Sequence, residues 1–140
     1  VFAVQNKYPG APTLDINIIN DDIFMIGNKT VIPVNVYHGK LQVYGFRIDD
    51  FAYITDAKTI PESSLKKLKG LKVLVLNALR KEEHHTHLNL EEAIEMVKIL
   101  KPEKAYFTHI SHHMGFHEEV QKELPKNIFL AYDNLKIEIT

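Results

Sequence analysis

Three side chains able to hold a metal stand where short apolar runs end. His38 follows Val34 to Tyr37, Asp56 follows Phe51 to Thr55, and His109 follows Ala105 to Thr108. Each run has strand length and strand composition, so each residue falls at the rim of a sheet, where loops carry chemistry on a rigid base. Imidazole and carboxylate without thiolate suit zinc, manganese or iron. From spacing alone, each of the three is as well read as a satisfied buried polar residue as a ligand. The sequence has 8 histidines, and several fall in two clusters, His84-His85-Thr86-His87 and His112-His113. His84, His85, His112 and His113 read as surface turns, and His117 as a residue at the start of a helix.

The elements that must position these residues come in a definite order. Leu14 to Ile18 alternates apolar and polar with period two, Asn20-Asp-Asp interrupts, and Ile23 to Ile26 resumes, which predicts antiparallel pairing. The stretch before it, Tyr8-Pro-Gly-Ala-Pro12, reads as a connection. Val31 to Tyr37 is β-branched but contains Pro33, which cannot donate to a ladder and so belongs at an edge or a strand start. Leu41 to Ile48 and Phe51 to Thr55 flank Asp49-Asp50 as a hairpin.

Pro61 fits the first turn of a short helix that carries Leu65 and Leu68 and stops at Gly70. Leu71 to Asn77 is nearly continuous in apolar residues, as in a strand covered on both faces. Asn89 and Glu92 have capping-box spacing, Leu90, Ala93, Ile94, Val97 and Leu100 follow at helical spacing, and Pro102 lies beyond. Ala105 to Thr108 is then a parallel strand, His117 to Leu124 a short helix, and Ile128 to Tyr132 and Leu135 to Ile139 two closing strands around Asp133-Asn134. Antiparallel strands first and strand-helix-strand units after them make an α/β fold with a mixed sheet.

Composition narrows the function classes. With 140 residues, 45% hydrophobic and 25% charged, the chain has one domain's length, enough for a real core, and the composition of a soluble globular protein. A net charge of -1 gives no signal for nucleic acid or an anionic membrane. No apolar run reaches the roughly 20 residues of a spanning helix, so the expected location is cytoplasmic. There is no cysteine, which leaves any metal to His, Asp or Glu. The chain opens on Val1, which suggests a processed, trimmed or truncated product.

Several short motifs in order then carry a resemblance. His38-Gly with Tyr44-Gly-Phe-Arg, Ala52-Tyr-Ile-Thr-Asp56, Leu76-Asn-Ala-Leu-Arg80, His85-Thr-His87-Leu, Tyr106-Phe-Thr-His109-Ile-Ser and Ala131-Tyr-Asp-Asn resemble the C-terminal half of a metallo-β-lactamase-fold metal-dependent hydrolase. The branch is that of the phosphonate-pathway cyclic phosphodiesterase and, more distantly, the tRNA 3′-processing ribonucleases. The resemblance implies a mixed sheet with helices on one face and two divalent metal ions, zinc or manganese. It makes His38 a ligand of the first site, Asp56 the bridging carboxylate and His109 the terminal histidine of the second site. His87 resembles the non-ligand histidine that touches the phosphate or protonates the leaving oxygen. Its bland alternative is a helix-entry residue beside Asn89.

One departure is large. The family signature His-x-His-x-Asp-His is absent, and the single His-x-His, His85-Thr-His87, lies after Asp56. Each metal would then have one histidine and a share of Asp56, where a working zinc site needs three protein ligands. The expectation is the C-terminal half of a phosphodiesterase, its N-terminal half absent, inactive alone and acting in full on a small phosphodiester-like substrate. The alternative is a non-catalytic interaction half-domain. Either one would leave an apolar sheet face for a homodimer or for the missing half.

Overall fold

The computed structural model describes residues 16–139. Seven strands form one sheet in sequence order, β1 (Phe24–Ile26), β2 (Lys29–His38), β3 (Leu41–Ile48), β4 (Phe51–Ile54), β5 (Val73–Asn77), β6 (Lys104–Thr108) and β7 (Ile128–Leu130). β1 to β4 pair antiparallel, and β4 to β7 pair parallel. Among the described residues three α-helices accompany them, α1 (Glu62–Lys67), α2 (Leu90–Leu100) and α3 (His117–Glu123). This is the mixed-sheet α/β fold expected of a metallo-β-lactamase-like hydrolase.

Register explains the two faces. Ile54, Leu76, Phe107 and Leu130 lie side by side across β4 to β7, and all are buried. Because side chains alternate along a strand, the neighbouring row must face the other way. That row is Phe46, Tyr53, Val75, Tyr106 and Phe129. The first face packs into a single core with Leu68 after α1, Ala93 and Val97 of α2, and Val120 of α3, so the helices share that side.

Local signals mostly hold. α2 has the full capping box, with Asn89 Oδ1 accepting from Glu92 N at 2.8 Å and Glu92 Oε2 accepting from Asn89 N at 2.9 Å. Pro33 sits where β2 has lost β1, which pairs only with Lys29 to Val31. The exposed edge is closed from α1: Lys67 Nζ donates to Pro33 O at 2.8 Å and Ser64 Oγ to Asn35 O at 2.6 Å. A proline without an N–H costs nothing at such an edge. Pro61 is the N-cap residue of α1, one position earlier than expected.

Two strand expectations fail. Leu14 and the Tyr8 to Pro12 connection lie outside the described residues, and Ile16 to Ile18 form no strand and are exposed. Leu135 to Ile139 is not a strand either. Instead Leu135, Ile137 and Ile139 line a cavity with Phe51, Tyr53, Val75 and Tyr106, so their apolar alternation serves to cover the second face of the sheet. No helix among the described residues is long and apolar enough to cross a membrane.

Candidate metal centre

Topology brings the candidate residues to one edge. β2 is antiparallel to β3 and β3 to β4, so β2, β4 and β6 all run the same way. His38 ends β2, Asp56 follows β4 and His109 follows β6, so all three stand at the same rim, the carboxyl ends where open α/β sheets build their sites. Asp56 and His109 both leave their strands in the left-handed region, at φ 56° and 57°. Asp and His enter that region more readily than most residues, and its use at strand ends that carry polar side chains is a sign of a built site.

The fourth member arrives from the loop before α2. His87 Nε2 lies 3.3 Å from Asp56 Oδ1, and His109 Nε2 lies 3.6 Å from the same oxygen. The His87 ring stacks on His109 with centroids 4.8 Å apart and meets His38 edge to face at 4.6 Å. One donor atom each from His38, Asp56 and His87 lie within 4.8 Å of one another. A half-buried carboxylate ringed by imidazoles is a donor set suited to a divalent ion, and it needs no rearrangement of the backbone to converge. Gly39, at φ 60° in the β2–β3 turn, keeps the hairpin against this loop: a Cβ there would lie 3.2 Å from Thr86 Cγ2.

Electrostatics agree with the geometry. Burial pushes the Asp56 carboxyl up, but the His87 hydrogen bond and the nearby His109 charge win and hold it below the ordinary carboxylate range. Burial and the neighbouring His109 and His38 hold His87 below the ordinary imidazole range, against the pull of Asp56. A neutral imidazole is the form that ligates metal. His84 is likewise lowered, by burial and by His85 and His87.

His84, read from sequence as a surface turn residue, is half-buried in the loop before α2. Its Nδ1 lies 3.3 Å from His87 Nδ1, and Thr86 Oγ1 sits 2.9 Å from His87 Nδ1, so this loop surrounds the inner histidine. The clue available in sequence was spacing: His84 and His87 are three apart, but nothing told a turn from a solvated tract. His85 stacks on His84, while His112 and His113 are exposed on a short 3-10 turn. His117 begins α3 and lies 3.3 Å from Leu130 O.

A mixed sheet covered by helices on one face, with a histidine and aspartate cluster at its carboxyl rim, defines the class of metallo-β-lactamase-fold hydrolases. Within that class the chain belongs to the beta-lactamase superfamily domain family, whose model matches residues 2–110. It is similar to a diphosphatase from the PhnP family, at 40% identity and a TM-score of 0.84 over 87% of this chain and 48% of that one. The zinc-bound PqqB of Methylobacterium extorquens, at 15% identity, shares the fold with a TM-score of 0.71 over 87% of this chain and 55% of that one. An octanoyltransferase of Porphyromonas gingivalis is 34% identical over 94% of the chain, which spans only 27% of that protein. The chain thus spans about half of the diphosphatase and about a quarter of the octanoyltransferase.

Proposed function

We propose that this chain supplies one side of a two-metal site in a hydrolase of phosphoric esters or anhydrides, with His38, Asp56 and His109 as ligands and His87 as the proton-transfer or phosphate-contacting group. The observation that carries the reading is the convergence of His87 and His109 on one oxygen of Asp56, at 3.3 and 3.6 Å. When bound, two divalent ions such as zinc or manganese would supply Lewis-acid stabilisation of developing charge and a water of lowered pKa. Asp56 holds the centre of the donor set, and His38 and His109 flank it from separate strands. His87, held below the ordinary imidazole range, is free to take the proton that the attacking water gives up and to pass it to the departing oxygen as the bond from phosphorus to that oxygen breaks. Similarity to a diphosphatase at 40% identity favours phosphoryl chemistry over thioester or lactam hydrolysis. The octanoyltransferase match spans 27% of that protein and carries no acyl-transfer assignment here.

Absence of His-x-His-x-Asp-His from the sequence favours a silent chain. A zinc centre in a hydrolase normally has three protein ligands and an open position, and this donor set shared between two ions falls short of that. The purified 140-residue chain is therefore expected to show no metal-dependent turnover of an aryl phosphodiester above a His38→Ala control. Turnover above that control would mean that the donor set is complete as it stands. A non-catalytic interaction role is the second reading, favoured by the same missing signature. It predicts in addition that His38→Ala leaves metal content unchanged.

A further inference from the structure

Asn77 ends β5 and is fully buried, a lone amide after four apolar residues. An amide without partners in such surroundings costs about 2–7 kcal/mol, so the place of its hydrogen bonds reveals its use. Both go to one residue. Asn77 Oδ1 accepts from Ala57 N at 2.9 Å, and Asn77 Nδ2 donates to Ala57 O at 2.9 Å. Ala57 directly follows Asp56, whose left-handed φ has turned the chain away from β5. The last registered pair between β4 and β5 is Ile54 with Leu76, and beyond it the Asn77 side chain takes over the bonding that a ladder would provide.

The same joint reaches the other candidate residues. Ala57 O also accepts from Leu88 N at 2.8 Å, next to His87, and Leu88 O accepts from Leu79 N at 3.0 Å. Ala78 N donates to Thr108 O at 3.0 Å, immediately before His109. Three loops that carry Asp56, His87 and His109 are thus tied to the segment that opens with Asn77.

We propose that Asn77 is a positioning residue for the metal-binding cluster, clamping the Ala57 peptide at both its N–H and its C=O so that Asp56 keeps its left-handed turn and its distance to His87 and His109. This rests on the reading of Asp56 as a ligand. Because both amide bonds of Asn77 go to Ala57, its influence on the donor atoms runs through the backbone. The amide offers an acceptor to the Ala57 N–H and a donor to the Ala57 C=O, whereas a leucine of similar size in its place offers neither.

The test compares the full chain with Asn77→Leu, with Asn77→Ser in case the leucine variant fails to fold, and with Leu74→Val, a core change on the same strand. Cobalt(II) titrations followed by visible absorption give affinity and ligand-field spectrum, and urea unfolding gives stability. The expected result is a loss of cobalt affinity of roughly tenfold or more, with an altered spectrum, in the Asn77 variants, and a change within about twofold in Leu74→Val. Unchanged affinity in both Asn77 variants, or an equal loss in Leu74→Val, overturns the proposal. If the unsubstituted chain binds no cobalt, its donors alone do not hold an ion, as the missing His-x-His-x-Asp-His signature implies. The clamp is then judged by amide hydrogen exchange: faster exchange at Ala57 and Leu88 with protected β5 and β6 amides upholds it, and unchanged exchange there overturns it.

Discussion

Among single residues, two groups that share an ion-pair distance have opposite tasks. Asp56 is the common neighbour of His87 and His109, so its removal takes a donor from every ion the cluster could hold. On the proposed two-metal reading, Asp56→Ala is expected to abolish hydrolysis and to lower metal content at both sites. His87→Ala is expected to spare the metals and to slow turnover by about 10²- to 10⁴-fold, the range for lost acid-base help. Metal analysis of the two variants decides, because equal loss would make His87 a ligand, a role that its donor atom's proximity to those of His38 and Asp56 permits. A second expectation comes from proton linkage in the metal-free chain. His87 is held below the ordinary imidazole pKa by burial. Between its folded pKa and the unfolded value the unfolded chain binds more protons, so stability is intact above that window and falls as pH drops through it. Melting temperatures at about pH 7.5 and about pH 5.5 should therefore diverge more in the unsubstituted chain than in His87→Gln. Equal divergence would mean that His87 is not what folding keeps neutral.

Elements are held by satisfied ends as much as by apolar faces. α2 buries Leu90, Ala93, Val97 and Leu100, and its N-cap residue, Asn89, stands two residues after His87. There the capping box is braced by Lys58, whose Nζ meets Glu92 Oε1 at 2.7 Å and Oε2 at 2.9 Å. Lys58 belongs to the loop of Asp56 and Glu92 to the helix after His87, so one cap also joins the two loops. Asn89→Ala removes the acceptor for Glu92 N and is expected to cost about 1 kcal/mol. Urea unfolding measures that loss, and a cost near zero would show that Lys58 and Glu92 hold the helix start without the cap.

For the whole molecule, the open question is what lies on the second face of the sheet. The row Phe46, Tyr53, Val75, Tyr106 and Phe129 is rich in aromatic rings, with Tyr106 stacked on Phe129 at 5.3 Å between centroids. The tail residues Leu135, Ile137 and Ile139 cover part of it, and Tyr53 remains 42% exposed. A stable pairing of two copies would remove about 1,600 Å² of surface in total. The expected homodimer should appear in light scattering at micromolar concentration, and removal of 135–139 should strengthen it. A stable monomer in both forms would show that this face needs no partner.

Much of the framework is legible in local patterns. The Asp49-Asp50 turn between two extended runs located β3 and β4, a continuous apolar run located β5, and capping spacing with helical periodicity located α2, because each signal lies within one short stretch of chain. The order of those elements, together with His38, Asp56 and His109 at strand ends, made the fold class and the candidate donors readable without coordinates. Other features came only with the packed chain. Leu135 to Ile139 alternates like a strand, yet alternation reports one apolar face and not the hydrogen bonds that would make it a ladder. His84 stays partly exposed, and packing alone sets it beside His87. Asn77 reads as the polar end of a strand, and only the parting of β4 from β5 assigns both ends of its amide to Ala57. Distances between residues far apart in the chain depend on strand direction and register, which no single stretch of sequence contains.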